Sequence, residues 1–566
     1  MLLKYKNMIR PTAKSVEDTA LSTSRNRLAV VIIVVSLAFM ILLYRLFDIS
    51  LSSKEDLQTF KAKGTDFFVQ RAAIEDRDGT LLAINLSTAS LYANPMEIID
   101  VASAANKLCG IFPNVNCKDM LEKLRPTKTF TWLKRHITPK EQQEVNDLGV
   151  PGLYFLKEEK RIYPHNNLFS HVLGFSDIDN NGISGVERYF DNDLKNNSKK
   201  PLLLSLDTRV QEALKEELQQ QVTDHQAIGG SGIVMDVNTG EVLAMVCLPD
   251  FDPNKPQKAS EAQRFNQLTL GVYEMGSTFK VFTTAMGLDG KFVTVNDAFD
   301  TSATVMVGNH KISDFRGKGG VLSVPEILMY SSNIGTAQIA QRVGVTKQKE
   351  YMRKFGFLSP MEIELPEKSA TLYPSDKRWS NASLVTISYG HGISVTPMHV
   401  IRAFASVVNG GKLIKPTLLK VDEPQNVDGE TVLKENTSQL MRKLLRLVVT
   451  GGSGRKANTE GYLVAGKTGT AEKIVGSRYS KNQNIALFIC AFPIDDPKYA
   501  VLIMVDEAKR NALNGGFTTG GTLAAPVAGR VIERIAPILG VAPQKALAPN
   551  SEDVMALVYQ ARYKRN

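Results

Sequence analysis

A serine and a lysine three positions apart, Ser277 and Lys280, have a spacing that suits nucleophilic chemistry. Gly276 precedes a helical pattern that runs to Gly287, and residues i and i+3 share one face of a helix. A neutral lysine can act as the base that activates a serine hydroxyl. Neutrality near pH 7 requires a lysine pKa lowered by about 3 units, which burial and nearby cations can supply. We therefore predict an activated nucleophile at Ser277, with helix N-terminal N–H groups available to a developing oxyanion.

Two further motifs could complete such a site. Ser331-Ser-Asn333 separates two apolar helical stretches, and its hydroxyl and amide could hydrogen-bond Lys280 and relay protons. A helix cap is the plainer interpretation of Ser331 taken alone. Lys467-Thr-Gly-Thr470 follows a β-forming run, and a strand with a cation and two hydroxyls suits recognition of a carboxylate. The backbone of such a strand can also pair with an extended peptide.

Two similar patterns compete with these motifs. Ser453 begins a second Ser-x-x-Lys sequence, but it lies in a Gly-Gly-Ser-Gly loop that has no helix to orient it. Residues 461–468 match the phosphate-loop pattern GxxxxGK[ST], which would indicate an NTPase. The intervening residues are apolar strand formers, and Gly469 stands where a helix should propagate. We therefore expect a strand at this position.

Composition and charge exclude several classes of protein. The 566 residues are 43% hydrophobic, which allows sizeable cores in three or four units at about 150 residues each. Residues 1–27 carry +4 of the net charge of +10, and the other +6 is spread over 539 residues, a distribution that argues against nucleic-acid binding. The sequence contains neither a CxxC pair nor HExxH, so we expect no metal and no cofactor. Cys109 and Cys117 are close in sequence, which does not decide whether they pair.

A membrane anchor is predicted near the N-terminus. Residues 28–44 form a run of 17 residues without a charge, which covers roughly 26 Å as a helix against a hydrocarbon core of about 30 Å. Arg27 and Arg45 can snorkel, and two apolar residues extend the run to position 47. Because basic residues stay in the cytoplasm, we predict a cytoplasmic tail over 1–27, a single span over 28–47 of the inner membrane, and a periplasmic remainder.

In the part of the chain predicted to be exported, the pattern of the sequence changes after about residue 225. Residues 48–224 are predicted to be a mixture of short elements, including a strand, an Asp-Gly turn at Gly79 and a second strand. Residues 225–540 are predicted to form one α/β unit, and residues 541–566 a tail. In that unit, strands from both ends enclose mainly helical sequence, so its sheet is built from distant segments. The predicted strands are residues 231–236, 241–247, 484–492 and 499–506, and helices are predicted at 96–108, 139–148, 324–339 and 396–409.

The three motifs, in this order, are the set of penicillin-binding proteins and class A β-lactamases, with Ser332 where that set has aspartate. Their contexts, YEMGSTFK, MYSSNIGTA, YGHGISVTP and VAGKTGTAEK, closely resemble class B penicillin-binding proteins, which are monofunctional peptidoglycan D,D-transpeptidases. The septal, cell-division type (penicillin-binding protein 3) is the most similar. Arg71–Gly79, HVLGF and GISGVE resemble the non-catalytic pedestal of that class. Ala72 and Met275 depart from its usual glycine and proline.

This resemblance implies a fold and a reaction. The fold is an α/β (α+β) transpeptidase domain like that of penicillin-binding proteins and β-lactamases, on an extended α+β pedestal. Ser277 attacks the D-Ala-D-Ala carbonyl of a stem peptide, expels D-alanine and forms an acyl-enzyme, with Lys280 as the base. Ser331 and Asn333 complete the proton network and hold the substrate amide. An amine of a neighbouring stem then resolves the acyl-enzyme into a cross-link.

The resemblance also implies the roles of the strand and the partners. Lys467 contributes electrostatics, Thr468 and Thr470 bind the terminal carboxylate on either side of Gly469, and the N–H groups of Ser277 and Thr470 form the oxyanion hole. The implied partners are stem peptides on lipid-linked nascent glycan, β-lactam antibiotics, and a membrane glycan polymerase with other division proteins.

Four alternatives remain open at this stage. An elongation-type class B transpeptidase would have the same reacting residues. A class A β-lactamase would need a deacylating glutamate, for which Glu362 is a superficial candidate, and a D,D-carboxypeptidase would use water in place of the amine. In a different class, the chain could be a division scaffold or a β-lactam sensor whose serine only reports acylation.

Overall fold

The structure, a computed structural model, describes residues 29–45, 71–307, 310–314, 317–424, 427–475 and 478–544. The chain divides into two compact units, Met1–Val69 and Gln70–Asn566. In the first unit, residues 29–45 form helix α1, and all of its side chains are exposed. None of the described helices is both long and apolar enough to cross a membrane. Most of the predicted anchor is therefore described as a helix, while residues 28, 46 and 47 and the tail 1–27 lie outside the described residues.

The second unit begins with a five-stranded sheet. Its strand order is β3-β2-β1-β5, and β4 also pairs with β2. The predicted strand–turn–strand is confirmed, because Ile74 pairs antiparallel with Ala83 and the Asp76 carboxylate accepts N–H groups from Asp78 and Thr80 across the turn. The strands are β1 (Ile74–Glu75), β2 (Leu81–Ala93), β3 (Thr131–Ile137), β4 (Leu153–Ile162) and β5 (Leu202–Leu203).

Six short helices are described in the same stretch of chain as this sheet. The helix predicted at 96–108 begins later, because Asp100 accepts the N–H of Ser103 and so caps the helix at that point. A disulfide joins Cys109 to Cys117, which settles the pairing that the sequence left open. The helices are α2 (Val101–Ile111), α3 (Cys117–Lys123), α4 (Pro139–Asp147), α5 (Ser170–Leu173), α6 (Gly185–Tyr189) and α7 (Asp191–Asn196).

A second five-stranded sheet, antiparallel throughout, forms the centre of the remaining chain. Its order is β14-β15-β16-β6-β7, so strands from both ends of the region meet as predicted. Alternate residues of β15 enter different cores: Phe488 packs with one cluster and Ile489 with the other, as a strand covered on both faces requires. The strands are β6 (Gly229–Asp236), β7 (Val242–Leu248), β14 (Ala465–Val475), β15 (Arg478–Phe492) and β16 (Tyr499–Asp506).

Helices cover both faces of this sheet. The helical sequence predicted over 324–339 forms two helices, and their predicted separation at Ser331–Asn333 is confirmed, because Ser331, in a left-handed conformation, ends α11 before α12 begins. The helices are α8 (Thr208–Asp224), α9 (Glu261–Arg264), α10 (Phe279–Asp289), α11 (Val324–Tyr330), α12 (Asn333–Val343), α13 (Val345–Lys354), α14 (Asn381–Ser388), α15 (Pro397–Val408), α16 (Glu435–Thr450) and α17 (Gly520–Ile538). The remaining described strands form three two-stranded ladders: β8 (Ala298–Asp300) with β11 (Val321–Ser323), β9 (Val305–Val307) with β10 (His310–Ile312), and β12 (Lys412–Leu413) with β13 (Glu430–Thr431).

Candidate active site

Three segments that are distant in sequence contribute to one cluster of polar side chains. Lys280, in the first turn of α10, donates from Nζ to the Ser331 carbonyl at 2.5 Å and to the Ser331 Oγ at 3.1 Å. Lys467, in β14, donates from Nζ to the same Oγ at 2.9 Å. Two lysine amines therefore flank one serine hydroxyl, as a proton relay between them requires.

Burial changes the protonation of both amines. Lys280 is 1% exposed, and desolvation lowers its pKa to about 7, although the negative charge of Asp314 opposes this shift. Lys467 is fully buried, and desolvation together with the charge of Lys280 holds its pKa well below its ordinary value. Near neutral pH this pair therefore includes an amine that can accept a proton.

The backbone at Ser331 explains how one residue reaches both amines. Ser331 ends α11 with φ 60° and ψ 42°, the left-handed conformation that few residues other than glycine adopt. Ser332 then caps α12, because its hydroxyl accepts the N–H of Gly335 at 2.9 Å. Since the chain turns at this point instead of continuing as a helix, both oxygens of Ser331 face the lysines.

Ser277 lies in a tight turn just before α10. Residues Gly276–Thr278 form a 3₁₀ turn and the α-helix begins at Phe279, so the serine is one turn from Lys280, as the motif spacing predicts. The side chain of Ser277 is half-buried. Among the described contacts no hydrogen bond joins its hydroxyl to Lys280, and the roles of these two residues as nucleophile and base stay predictions.

Close backbone packing holds the Ser277 turn against β14. Gly276 has φ +52°, and a Cβ at that position would lie 2.6 Å from the Thr470 carbonyl oxygen. On the other side, Gly276 donates its N–H to the Gly390 carbonyl at 3.2 Å. The turn is thus held between a strand and a loop, with the Thr470 backbone beside the residue that precedes Ser277. The oxyanion hole expected from the N–H groups of Ser277 and Thr470 stays a prediction.

The Lys-Thr-Gly segment lies in β14, an edge strand of the central sheet, and not at the start of a helix as a phosphate loop requires. The Thr470 hydroxyl accepts the N–H of Gly520 at 3.1 Å. The Thr468 hydroxyl lies 2.6 Å from the Ser453 hydroxyl. Ser453 lies in a turn, as expected for a serine with no helix to orient it, and sequence reasoning missed only its contact with the predicted carboxylate-binding residue.

Asn333 contacts a different group from the one expected. Its amide donates to the Ser313 carbonyl at 2.9 Å, and among the described contacts none joins it to Lys280.

The neighbouring Asp314 was missed by sequence reasoning. Its carboxylate accepts the Ser332 hydroxyl at 2.7 Å and the N–H of Asn333 at 2.5 Å. The available signal was the serine at position 332, where the related motif has aspartate.

A second missed residue is Glu274, which accepts the N–H of Gly392 at 2.7 Å and so ties the loop 389–392 to the segment before Ser277. Burial lowers the pKa of His391 in this loop, although the charge of Glu274 opposes the shift. The signal in the sequence was Gly390-His-Gly392, whose glycines have φ +87° and +73°.

Glu362, the candidate glutamate of the β-lactamase alternative, has an exposed side chain 3.9 Å from Lys415. Its exposure and ion pair are those of a surface residue. The cluster around Ser331 therefore offers a lysine base, a relaying hydroxyl and nearby backbone N–H groups, which together suit acylation of a serine.

Two family models match the chain. The penicillin binding protein transpeptidase domain matches residues 230–533, and the penicillin-binding protein dimerisation domain matches residues 68–233. The first range includes every residue of the cluster described above, and the second includes the first sheet.

Individual proteins are similar over most of the chain. A probable peptidoglycan D,D-transpeptidase FtsI of Caulobacter vibrioides is 38% identical, covering 83% of this chain and 82% of the relative. A probable peptidoglycan D,D-transpeptidase PenA of Neisseria meningitidis is 31% identical, covering 97% and 98%. The crystal structure of penicillin binding protein 3 from Mycobacterium tuberculosis with ampicillin has a TM-score of 0.68 at 23% identity, covering 85% of this chain and 98% of that chain. This last likeness supports the fold.

Proposed function

The chain belongs to the penicillin-binding protein transpeptidase family and is a serine D,D-transpeptidase of peptidoglycan; on that premise we propose how its own residues perform the reaction. Neutral Lys280 takes the proton of Ser277 as Oγ attacks the carbonyl carbon of the penultimate D-alanine in a stem peptide. The carbonyl oxygen becomes an oxyanion, which the backbone N–H groups of Ser277 and Thr470 stabilise.

Collapse of this intermediate breaks the peptide bond. The proton held by Lys280 passes through the Ser331 hydroxyl to the departing nitrogen, and D-alanine leaves with an intact amine. The acyl group stays on Ser277 as an ester. In the second half, the amine of a neighbouring stem attacks this ester, its proton returns to Ser277 by the same route, and an amide cross-link forms.

The β14 strand orients the donor. Its hydroxyls at Thr468 and Thr470 bind the terminal carboxylate, and the arrival of that anion favours the protonated form of the nearby Lys467. Because β14 is an edge strand, its free backbone can pair with the extended stem peptide. The single observation that supports the mechanism best is the pair of buried amines on the Ser331 hydroxyl.

A donor–acceptor assay tests this proposal. The full-length chain is incubated with a pentapeptide ending in D-Ala-D-Ala and a D-amino acid as acceptor amine. We expect release of D-alanine and a product in which the acceptor replaces it, and neither with Ser277→Ala. Release without exchange would identify a carboxypeptidase, and no release with an intact fold would contradict catalysis.

We propose a septal role for the enzyme, which its resemblance to the cell-division type supports. Depletion in the source cell distinguishes this role from the elongation alternative, since filaments are expected for a septal enzyme and round cells for an elongation enzyme. A cell that divides normally while glycan cross-linking falls would contradict the septal role. A variant that loses acylation yet restores division would instead favour the scaffold.

We also propose the surroundings in which the enzyme works. Residues 28–47 anchor it to the inner membrane, which the charge-free run and the exposed apolar side chains of α1 support. Residues 1–27 are cytoplasmic, and the chain after the anchor is periplasmic. Residues 48–224 form the pedestal and 225–540 the transpeptidase domain, in keeping with the ranges of the two family models. Its partners are nascent lipid-linked glycan, a membrane glycan polymerase with other division proteins, and β-lactams that acylate Ser277.

A further inference from the structure

Asp314 makes a compact set of contacts beside the proton relay. One carboxylate oxygen accepts the Ser332 hydroxyl at 2.7 Å. The other accepts the N–H groups of Asn333 at 2.5 Å and of Ile334 at 3.0 Å. These are the first two residues of α12, so the carboxylate satisfies N–H groups that the helix cannot satisfy itself. Its charge is also favourable at a helix N-terminus.

These contacts hold Ser332 in place, which is the neighbour of Ser331, whose hydroxyl lies between the amines of Lys280 and Lys467. Ser332 is buried and follows Ser331 directly, and its hydroxyl donates to Asp314 while accepting the N–H of Gly335. Ser331 itself is held in a left-handed conformation, which has a cost for a serine and persists only when its surroundings impose it. Asp314 secures one side of this turn from a segment 18 positions earlier in the chain.

We propose that Asp314 is a positioning residue for acylation: its carboxylate, hydrogen-bonded to Ser332 and to the start of α12, keeps Ser331 between Lys280 and Lys467. It supplies in this chain the carboxylate that the Ser-Asp-Asn form of the motif has at its middle position. The inference rests on the proposed function, because the relay that Asp314 positions is the one that acylates Ser277.

Asp314 also acts on Lys280 through its charge. Its negative charge favours the protonated amine and therefore opposes the effect of burial on the pKa of Lys280. Among the described residues, the other charged or titratable groups that face Lys280 are Lys467 on β14 and His391 in the loop 389–392. Removing the carboxylate charge should consequently move the pH at which Lys280 becomes a base, and this effect separates its role from that of a simple helix cap.

The test measures acylation of the full-length chain by a fluorescent penicillin as a function of pH. For Asp314→Asn we expect a rate constant lower by roughly 10- to 100-fold, because the relay is misplaced. We also expect the acid limb of its pH profile to move down by at least about half a pH unit, because Lys280 loses a stabilising anion. A rate and a limb equal to those of the wild type would overturn the proposal. A slower rate with an unmoved limb would reduce Asp314 to a helix cap and would also overturn it.

Two further variants control for folding and for charge. Asp300→Asn removes an exposed carboxylate whose only described side-chain bond is to Ser302, and it should leave both rate and profile unchanged. In the double variant Asp314→Ala, Ser332→Asp, the carboxylate returns at the middle of the motif, and acylation should recover at least about tenfold over Asp314→Ala. No recovery in a folded double variant would contradict the proposed equivalence. If the wild type itself were not labelled, the proposed function would fail first.

Discussion

Lys280 and Lys467 donate to the same oxygen atom, the Ser331 Oγ, at 3.1 and 2.9 Å. They come from a helix and a strand that are 187 positions apart in sequence, and both amines are buried. Two ammonium groups on one neutral hydroxyl repel each other, so the site favours a state in which at least one amine is neutral. From this relationship we expect the serine at position 277 to be reactive near neutral pH, and this expectation leads to the following predictions.

The first prediction concerns pH. Because Lys280 must be neutral to take a proton and its pKa is about 7, the acylation rate constant should rise about tenfold per pH unit below 7 and level off above it. Stopped-flow acylation by a penicillin between about pH 5.5 and pH 8.5 measures this profile. Lys280→Arg should show no acylation at any of these pH values, since a guanidinium stays protonated. A flat profile for the wild type would contradict Lys280 as the base.

The second prediction concerns stability. Lys280 has a folded-state pKa of about 7, below its unfolded value of about 10.4, so the unfolded chain binds more protons between these values. The free energy of unfolding of the wild type should therefore rise with pH across this window. Lys280→Met removes the buried amine and should raise that free energy by about 1–3 kcal/mol at pH 7 while abolishing acylation.

The difference in stability between Lys280→Met and the wild type should shrink at about pH 9.5, where less of the unfolded lysine is charged. Urea unfolding at both pH values provides the measurement. A methionine variant that is less stable than the wild type at pH 7 would show that the hydrogen bonds of Lys280 outweigh its desolvation, contrary to the expected cost of burying this amine.

The third prediction concerns Ser453. Its hydroxyl lies 2.6 Å from that of Thr468, so Ser453→Ala should loosen the residue that binds the donor carboxylate. The loss of one neutral hydrogen bond is worth about 0.5–1.5 kcal/mol, which corresponds to a 2- to 10-fold weaker Kd for the penicillin before acylation. The rate constant of the acylation step itself should change little. Thr468→Val should have a similar effect, and the double variant should lose less than the sum of the two. Additive losses would mean that the hydroxyls act independently.

The fourth prediction concerns the backbone around the nucleophile. Gly390 has φ +87°, and a Cβ there would lie 2.1 Å from the Gly276 carbonyl oxygen. Gly390→Ala should therefore displace the Ser277 turn and reduce acylation by about 100-fold. Gly344→Ala is the matched control, because Gly344 has φ +80° with open space around its Cβ position. It should lower the melting temperature through backbone strain and leave acylation intact. Equal losses in the two variants would mean that strain, and not the collision, is responsible.

The sequence predicted the parts of the site that short-range patterns determine. The Ser277–Lys280 spacing follows from helix geometry, and the hairpins of the central sheet follow from apolar runs with turn residues between them. Both are local signals. The separation of α11 from α12 was predicted from the motif between two apolar stretches, whereas the left-handed conformation of Ser331 was not, because periodicity does not report the backbone angles of a single residue.

Long-range contacts account for the rest. Glu274 bonds to Gly392 across 118 positions, and Ser453 reaches Thr468 from a loop that follows another helix. Neither contact follows from spacing or composition, because each depends on how the helices and β14 pack. Asn333 illustrates the reverse case, since its motif places it two positions from Ser331 while its side-chain amide bonds to Ser313. Motifs thus identify which residues meet, and packing decides which atoms bond.

The site of covalent attachment decides whether Ser277 is the nucleophile. The full-length chain is allowed to react with a penicillin, and intact-mass analysis and peptide mapping then locate the adduct. We predict a single penicilloyl group on the peptide that contains Ser277, no adduct in Ser277→Ala, and an adduct in Ser453→Ala. An adduct on Ser453, or one that persists in a folded Ser277→Ala variant, would contradict the assignment of Ser277 as the nucleophile.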